Sequence, residues 1–222
     1  MPVRVAENEK YKFRGDLLKV VVGEQNETFN VHENLICTSP FFDKAMSGPW
    51  QESTQKTIRL PDDEPHIFAI YVHWLYYGTL PMFNNKTDNT ECLNILKAYT
   101  FGDKVLDTRF QNTAIDALVE TWTTPVDGKH WYPGLAAIQY VYNNTSESSP
   151  VRKLLVDMYV SGAQDSWLRR WEKQGSIPQS FLLDLASKLL GEQDRPKPNF
   201  TASDYYIRDS GNVKASPHKK GS

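Results

Sequence analysis

An α+β fold is predicted for this chain: a small β-sheet capped by a cluster of short helices, followed by an all-helical extension. Three observations predict it. A β-branched run, Leu17-Leu18-Lys19-Val20-Val21-Val22, is followed closely by an alternating segment, Glu27-Thr28-Phe29-Asn30-Val31. After His32 the apolar period lengthens to that of a helix. One more short strand, Thr57-Ile58-Arg59-Leu60, interrupts the helices, and the apolar stripes after it have helical spacing. The resulting order, β-β-α-α-β-α-α-α and then further helices, is that of an α+β domain with a small sheet under helices.

Each element has a local reason. Residues 1–16 are polar and are expected to form a flexible N-terminal segment. Gly23 ends the first strand, and Glu24-Gln25-Asn26 supplies a polar hairpin turn. Leu35 and Ile36, then Phe41, Phe42, Ala45 and Met46, fit two short helices broken at Thr38-Ser39-Pro40. Ser39 is predicted to cap the second helix by accepting an orphan N–H, and Pro40 has no N–H to lose there. Gly48-Pro49 stops that helix. Ile67, Ile70, Tyr71, Trp74 and Leu75 mark a helix ending near Gly78. Phe41, Phe42, Phe68, Trp74 and Tyr77 are expected in the core. Thr90 and Asp107 or Thr108 open the next two helices, the second carrying Phe110, Ala114, Ala117 and Leu118 on one side. Beyond the break at 124–128, helices are predicted from Pro133 to Asn143, from a Ser149-Pro150 cap onward, and from Pro178 to Leu190. Within 125–192 the chain thus reads as a helical extension. Residues 193–222 read as a disordered tail, apart from any anchoring by Tyr205, Tyr206 or Ile207.

Composition narrows the function. With 25 basic and 27 acidic residues the net charge is −2, so no strong field draws nucleic acid or anionic lipid. No apolar run approaches the ~20 residues of a membrane span, and the N-terminus lacks the apolar region of a signal peptide. Cys37 and Cys92 are far apart and are expected to be free thiols. These features predict an intracellular protein of the cytoplasm or nucleus, with no membrane, nucleic acid or small-molecule substrate as partner.

The segment from Val31 to Ser53 holds a His, a Cys and a Ser, so its chemistry needs testing. Ser39 lacks the flanking glycines of a nucleophile elbow. His32 with Cys37 imitates a thiolate–imidazole pair, and a small enzyme built on those two residues is the remote alternative. Against it, His32 closes a strand and Cys37 shares an apolar face with Leu35 and Ile36. The histidines at 32, 66, 73, 130 and 218 have no metal-ligand spacing, and Gly23 and Gly48 are isolated turn glycines. No catalytic, metal or cofactor-binding residue is therefore predicted. Trp50 stands in polar, loop-like surroundings, where a tryptophan serves either as a loop anchor or as a binding hot spot. Trp167-Leu168-Arg169-Arg170-Trp171 reads more simply as a helix packed on its predecessor than as a basic groove.

Six blocks in order carry a resemblance: Phe29-Asn30-Val31-His32, Leu35-Ile36-Cys37, Ser39-Pro40-Phe41-Phe42, Trp50-Gln51-Glu52-Ser53, Ile58-Arg59-Leu60-Pro61-Asp62-Asp63, and Trp74-Leu75-Tyr76-Tyr77-Gly78-Thr79-Leu80. Together they closely resemble a BTB/POZ domain over about 17–124, of the short kind abundant in filamentous fungi. Tyr140–Thr145 and Ser149–Asp157 look like the usual helical continuation of that kind. The resemblance implies a protein–protein interaction module without catalytic residues, a scaffold or oligomerisation domain binding other proteins or its own copy. Some family members are substrate adaptors of cullin-type ubiquitin ligases and carry a hydrophobic–any–Glu pattern after the second helix. Trp50-Gln51-Glu52 matches that pattern, which makes Trp50, Gln51 and Glu52 the candidate partner-binding residues and a cullin the alternative partner. No Kelch, MATH or zinc-finger domain accompanies it, and the sixteen poorly helical residues before Leu17 count against a swapped-strand dimer.

Overall fold

The computed structural model of the 222-residue protein describes residues 6–7, 11, 13–47, 55–82, 90–124 and 132–191. Among the described residues lie three strands, β1 (Leu17–Val22), β2 (Glu27–His32) and β3 (Thr57–Leu60). The helices are α1 (Glu33–Ile36), α2 (Pro40–Ser47), α3 (Pro65–Tyr77), α4 (Thr90–Lys104), α5 (Thr108–Thr123), α6 (Leu135–Asn144), α7 (Pro150–Gly162), α8 (Asp165–Gln174) and α9 (Gln179–Gly191). This is the small sheet with helices and helical extension that the sequence predicts.

β1 is the central strand, antiparallel to β2 and parallel to β3, with Val20 opposite Phe29 on one side and Ile58 on the other. Leu18, Val20 and Val22 alternate onto the core face and are fully buried. Val21 points the other way and is also covered, flanked in register by Thr28 and Arg59. The hairpin turns through Gly23 at φ 73° and Asn26 at φ 56°. A Cβ on Gly23 would lie 2.9 Å from Pro65 Cγ, so conformation and space both demand glycine there.

Helix α3 lays Ile67, Phe68, Tyr71, Trp74 and Leu75 into the core, begins on Pro65 and ends at Gly78, as its stripe predicts. Tyr71 is the centre of an aromatic assembly. Its ring stacks with Phe42 and Trp74 at 6.2 and 5.9 Å, and meets Phe101 and Phe110 edge-on at 5.4 and 4.9 Å. Its hydroxyl donates to Asp107 Oδ2 at 3.0 Å, while Asp107 Oδ1 accepts the Phe110 N–H at 3.1 Å and so caps α5. Burial, reinforced by the Asp107 charge, pushes the Tyr71 phenol far above its ordinary range, which keeps it a donor.

Between α4 and α5 the chain reverses in a Schellman arrangement. Leu106 takes a left-handed φ of 57°, its N–H donates to the Asp103 carbonyl, and the Asp107 N–H donates to that of Gly102. Ser39 meets this corner. Its hydroxyl is fully buried and donates to the Val105 carbonyl at 2.5 Å, a tertiary bond in place of the predicted helix-cap role. The reason is position: a carbonyl just past a helix end lacks an intrahelical donor, and Ser39 is the donor beside it.

The extension shares this core. Ala137, Ile138 and Val141 of α6 and Val151 and Leu155 of α7 join the same buried cluster. Thr100 Oγ1 of α4 hydrogen-bonds the Tyr140 hydroxyl at 2.7 Å. Ser149 repeats the departure seen at Ser39: it makes no side-chain cap bond to α7 and instead pairs with the Tyr99 hydroxyl at 3.2 Å. Trp171 of α8 is buried against Tyr159, and Trp167 lies on Tyr132, so the tryptophan–arginine segment packs on its neighbours. Arg152 is buried at the end of α6, where Nε donates to Thr145 Oγ1 and Nη2 to the Tyr142 and Thr145 carbonyls, with the guanidinium 4.5 Å from the Tyr142 ring centroid. Two aromatic expectations need correction. Tyr77 is 69% exposed because α3 ends there, beyond the reach of the covering helices, and Phe41 is half-buried.

Asp107→Ala should cost about 2–4 kcal/mol in urea unfolding, combining a lost cap with a stranded buried hydroxyl. Tyr71→Phe should cost about 1–2 kcal/mol, because only one bond disappears. A loss under about 1 kcal/mol for Asp107→Ala would contradict the role given to this pair.

Candidate functional site

The three residues with chemical potential are held by three different neighbours. His32 closes β2, and the Tyr76 hydroxyl from α3 accepts its backbone N–H at 3.1 Å and hydrogen-bonds Nδ1 at 2.6 Å. Phe13, itself half exposed, stacks on Tyr76 at 5.5 Å, and His32 is partly buried. Cys37 follows α1, its N–H donating to the Glu33 carbonyl. Burial pushes its thiol up to about 11, and the Glu33 and Asp43 charges add to the effect. An activated thiolate needs the reverse environment, electropositive and accessible. Ser39 is committed to Val105, as described. Cys37 and Cys92 are both free thiols.

A cleft of about 320 Å³ opens between the turn before α3, helix α4 and helix α6. Two ion pairs bridge it: Lys97 to Glu64 at 2.7 Å, and Lys104 to Asp63 at 2.6 Å. Its lining contains no His, Cys or Ser, and these lysines are spent on tying the turn to α4. His66 and His73 are solvated singly, His66 near Glu64 and Asn94 and His73 near Thr79. Among the described residues no cluster of His, Cys, Asp or Glu is arranged to hold a metal ion. No helix among them is long and apolar enough to cross a membrane.

Trp50, Gln51 and Glu52 lie outside the described residues. The elements on either side of them are well defined. Helix α2 buries Phe42 and leaves Phe41, Ala45 and Met46 half-exposed beside the solvated Asp43 and Lys44. On the far side, Lys56 has a left-handed φ of 45°, and its carbonyl accepts the Lys19 N–H at 3.0 Å. Its ammonium group reaches Asp16 at 2.5 Å and Glu33 at 3.1 Å. The hydrogen bond from Lys56 holds the Asp16 carboxyl below its usual value, while Asp16 and Glu33 raise Lys56 in turn. The described chain is thus fixed by the buried Phe42 before this stretch and by the Lys56 sheet bond and its two carboxylates after it. Sequence reasoning missed the Lys56 clamp, because its acids lie 40 and 23 positions away.

The Cys37 environment makes a direct prediction. At pH 8 its alkylation by iodoacetamide should run roughly 100-fold slower than that of a thiol with the ordinary value of 9, and should accelerate as pH rises toward 11. Labelling at the rate of a free thiol would restore it as a nucleophile candidate.

The family model of the BTB/POZ domain matches residues 12–105. That span begins just ahead of β1 and ends at Val105, whose carbonyl Ser39 holds, so it takes in the whole sheet and the helices α1 to α4. Motif order, sheet topology and family match agree: the N-terminal part of the chain is a BTB/POZ domain.

Proposed function

We propose that the protein is a non-catalytic BTB-type interaction protein, a scaffold or oligomerisation module with residues 17–124 as its BTB unit and 125–192 as a helical extension. A BTB/POZ domain supports a protein–protein interaction role, and the family match is the observation that carries this reading. The chemistry of the described residues supports it further. His32 is engaged by Tyr76, Ser39 is sealed in the core, and the Cys37 thiol is raised rather than activated. The partners are other proteins, a second copy among them. Light scattering over a concentration series tests self-association: a dimer of the 25.5 kDa chain should emerge as concentration rises, and a constant monomer mass would remove the oligomerisation reading.

The narrower alternative is a cullin-ligase adaptor. Trp50-Gln51-Glu52 supplies the hydrophobic–any–Glu pattern in the sequence that follows α2, a helix that itself leaves Phe41, Ala45 and Met46 half-exposed. In this reading Trp50 enters an apolar pocket of the partner and Glu52 fixes the loop. Calorimetry with a cullin N-terminal fragment should then give binding that Trp50→Ala weakens by at least ~2 kcal/mol, about 30-fold. Equal binding by wild type and variant, or none by either, would eliminate the adaptor reading and leave the interaction role intact.

A further inference from the structure

The outer edge of β2 is an open backbone ladder. In an antiparallel pair, residues alternate between bonding across to the partner strand and pointing away from it. The Glu33 N–H donates to the Asp16 carbonyl, so counting back along the register turns the backbone groups of Thr28, Asn30 and His32 away from β1. Lys19, which stands opposite Asn30, agrees: its own N–H is given to Lys56 on the other side. At His32 the outward N–H is taken by the Tyr76 hydroxyl at 3.1 Å. Thr28 and Asn30 are exposed, and among the described residues no group bonds their outward N–H and C=O. Edge strands are ordinarily blunted by proline, lysine or a bulge. The β2 sequence has neither proline nor lysine, and its register with β1 is unbroken.

Helix α3 walls this edge on the core face. Phe68 meets Phe29 edge-on at 4.9 Å, and further along the helix Tyr76 reaches His32. The helical stretch rises about 12 Å and the strand stretch about 10 Å, so α3 runs alongside β2. Val72, one turn from both Phe68 and Tyr76, is half-buried on that wall. We infer that this groove takes an extended segment of a partner protein as an added strand, an inference that rests on the interaction role proposed above. The open backbone groups define the occupant. Only another strand offers N–H and C=O groups in that rhythm, and Thr28 and Asn30 engage roughly four residues of it. Its alternate side chains are apolar, to lie on Val72 and the half-buried Phe29. Charge adds a basic residue at the hairpin end, where Glu24 and Glu27 are exposed and, among the described residues, carry no ion pair. A second copy fits less well. Pairing β2 on β2 antiparallel, with Thr28 against Asn30, carries the second Glu33 toward Glu24 and supplies no lysine or arginine.

Selection of a random peptide library against the full chain tests the inference, with Asn30→Pro as the diagnostic variant. Proline there removes an N–H that points away from β1, so the β1 ladder and the thermal transition should be retained. Selected peptides should alternate apolar residues and carry lysine or arginine at one end. They should bind the wild type and Asn30→Ala alike, and Asn30→Pro about tenfold or more weakly. Val72→Glu, on the groove wall and clear of the β1 ladder, should weaken them as well. Methylating the backbone nitrogens of a selected peptide one at a time should abolish binding at alternate positions and spare it between them. No enriched peptide, or equal binding by the wild type and Asn30→Pro, overturns the inference and leaves the oligomerisation and adaptor readings to their own tests. A dimer mass that Asn30→Pro converts to monomer overturns it too, by assigning the edge to a second copy.

Discussion

A phenolic hydroxyl buried as deeply as that of Tyr71 must be hydrogen-bonded, and its bond to Asp107 decides how the helices meet. An unsatisfied hydroxyl there would cost about 1–3 kcal/mol, enough to outweigh the gain from any small improvement in ring packing. Asp107 therefore has to stand opposite α3, and the same carboxylate starts α5 by accepting from Phe110. The stack of Phe42 on Tyr71 brings α2 to the same centre, and Phe101 brings α4. The sheet is subordinate to this arrangement: Leu18, Val20 and Val22 present one apolar face, and the helices gathered around Tyr71 cover it.

Helix α4 then serves both parts of the molecule. Its corner with α5 receives Ser39 from the domain side, and its outer surface receives Tyr140 and Ser149 from the extension. Apolar burial from Ala137, Ile138, Val141, Val151 and Leu155 supplies most of the driving force for that docking, and the polar pairs fix its register. Arg152 shows how strictly the far side is specified. Burying a cation costs several kcal/mol unless its donors are satisfied. Here acceptors at the C-terminal end of α6 and the Tyr142 ring meet it, where the helix dipole also favours positive charge.

What the sequence made legible was whatever depends on period and on local backbone. The hairpin, the stripe of α3 from Ile67 to Leu75 and the Asp107 cap are all written within a few residues of themselves. Ser39 and Ser149 were half legible. The Ser-Pro pairs mark helix starts correctly, but a hydroxyl bonds whichever acceptor lies closest, and that is a tertiary matter. Tyr77 was misplaced because periodicity says which way a residue points and not where its neighbour ends. Lys56 and Arg152 left no trace, since the partners of Lys56 come from remote positions and the burial of Arg152 exists only after α6 and α7 have packed. At the candidate site, spacing and apolar context argued for the Cys37 environment that its raised thiol value describes, whereas Trp50, Gln51 and Glu52 rest on motif resemblance.

The parallel pairing of β1 with β3 gives the crossover segment a kinetic character. The β1–β2 hairpin closes a four-residue turn, whereas Lys19 and Thr57 come together only after about forty residues of intervening chain are folded back, an entropic barrier of roughly 3 kcal/mol before any contact compensates. On these terms the hairpin zips early and β3 is expected to dock late, after α1 and α2 have packed. Within that arc the described fixed points are the buried Phe42 of α2 and Lys56, whose carbonyl accepts the Lys19 N–H. The clamp of Lys56 on Asp16 and Glu33 holds that arc against β1, and loosening it would be felt as a faster rate of unfolding for the whole sheet.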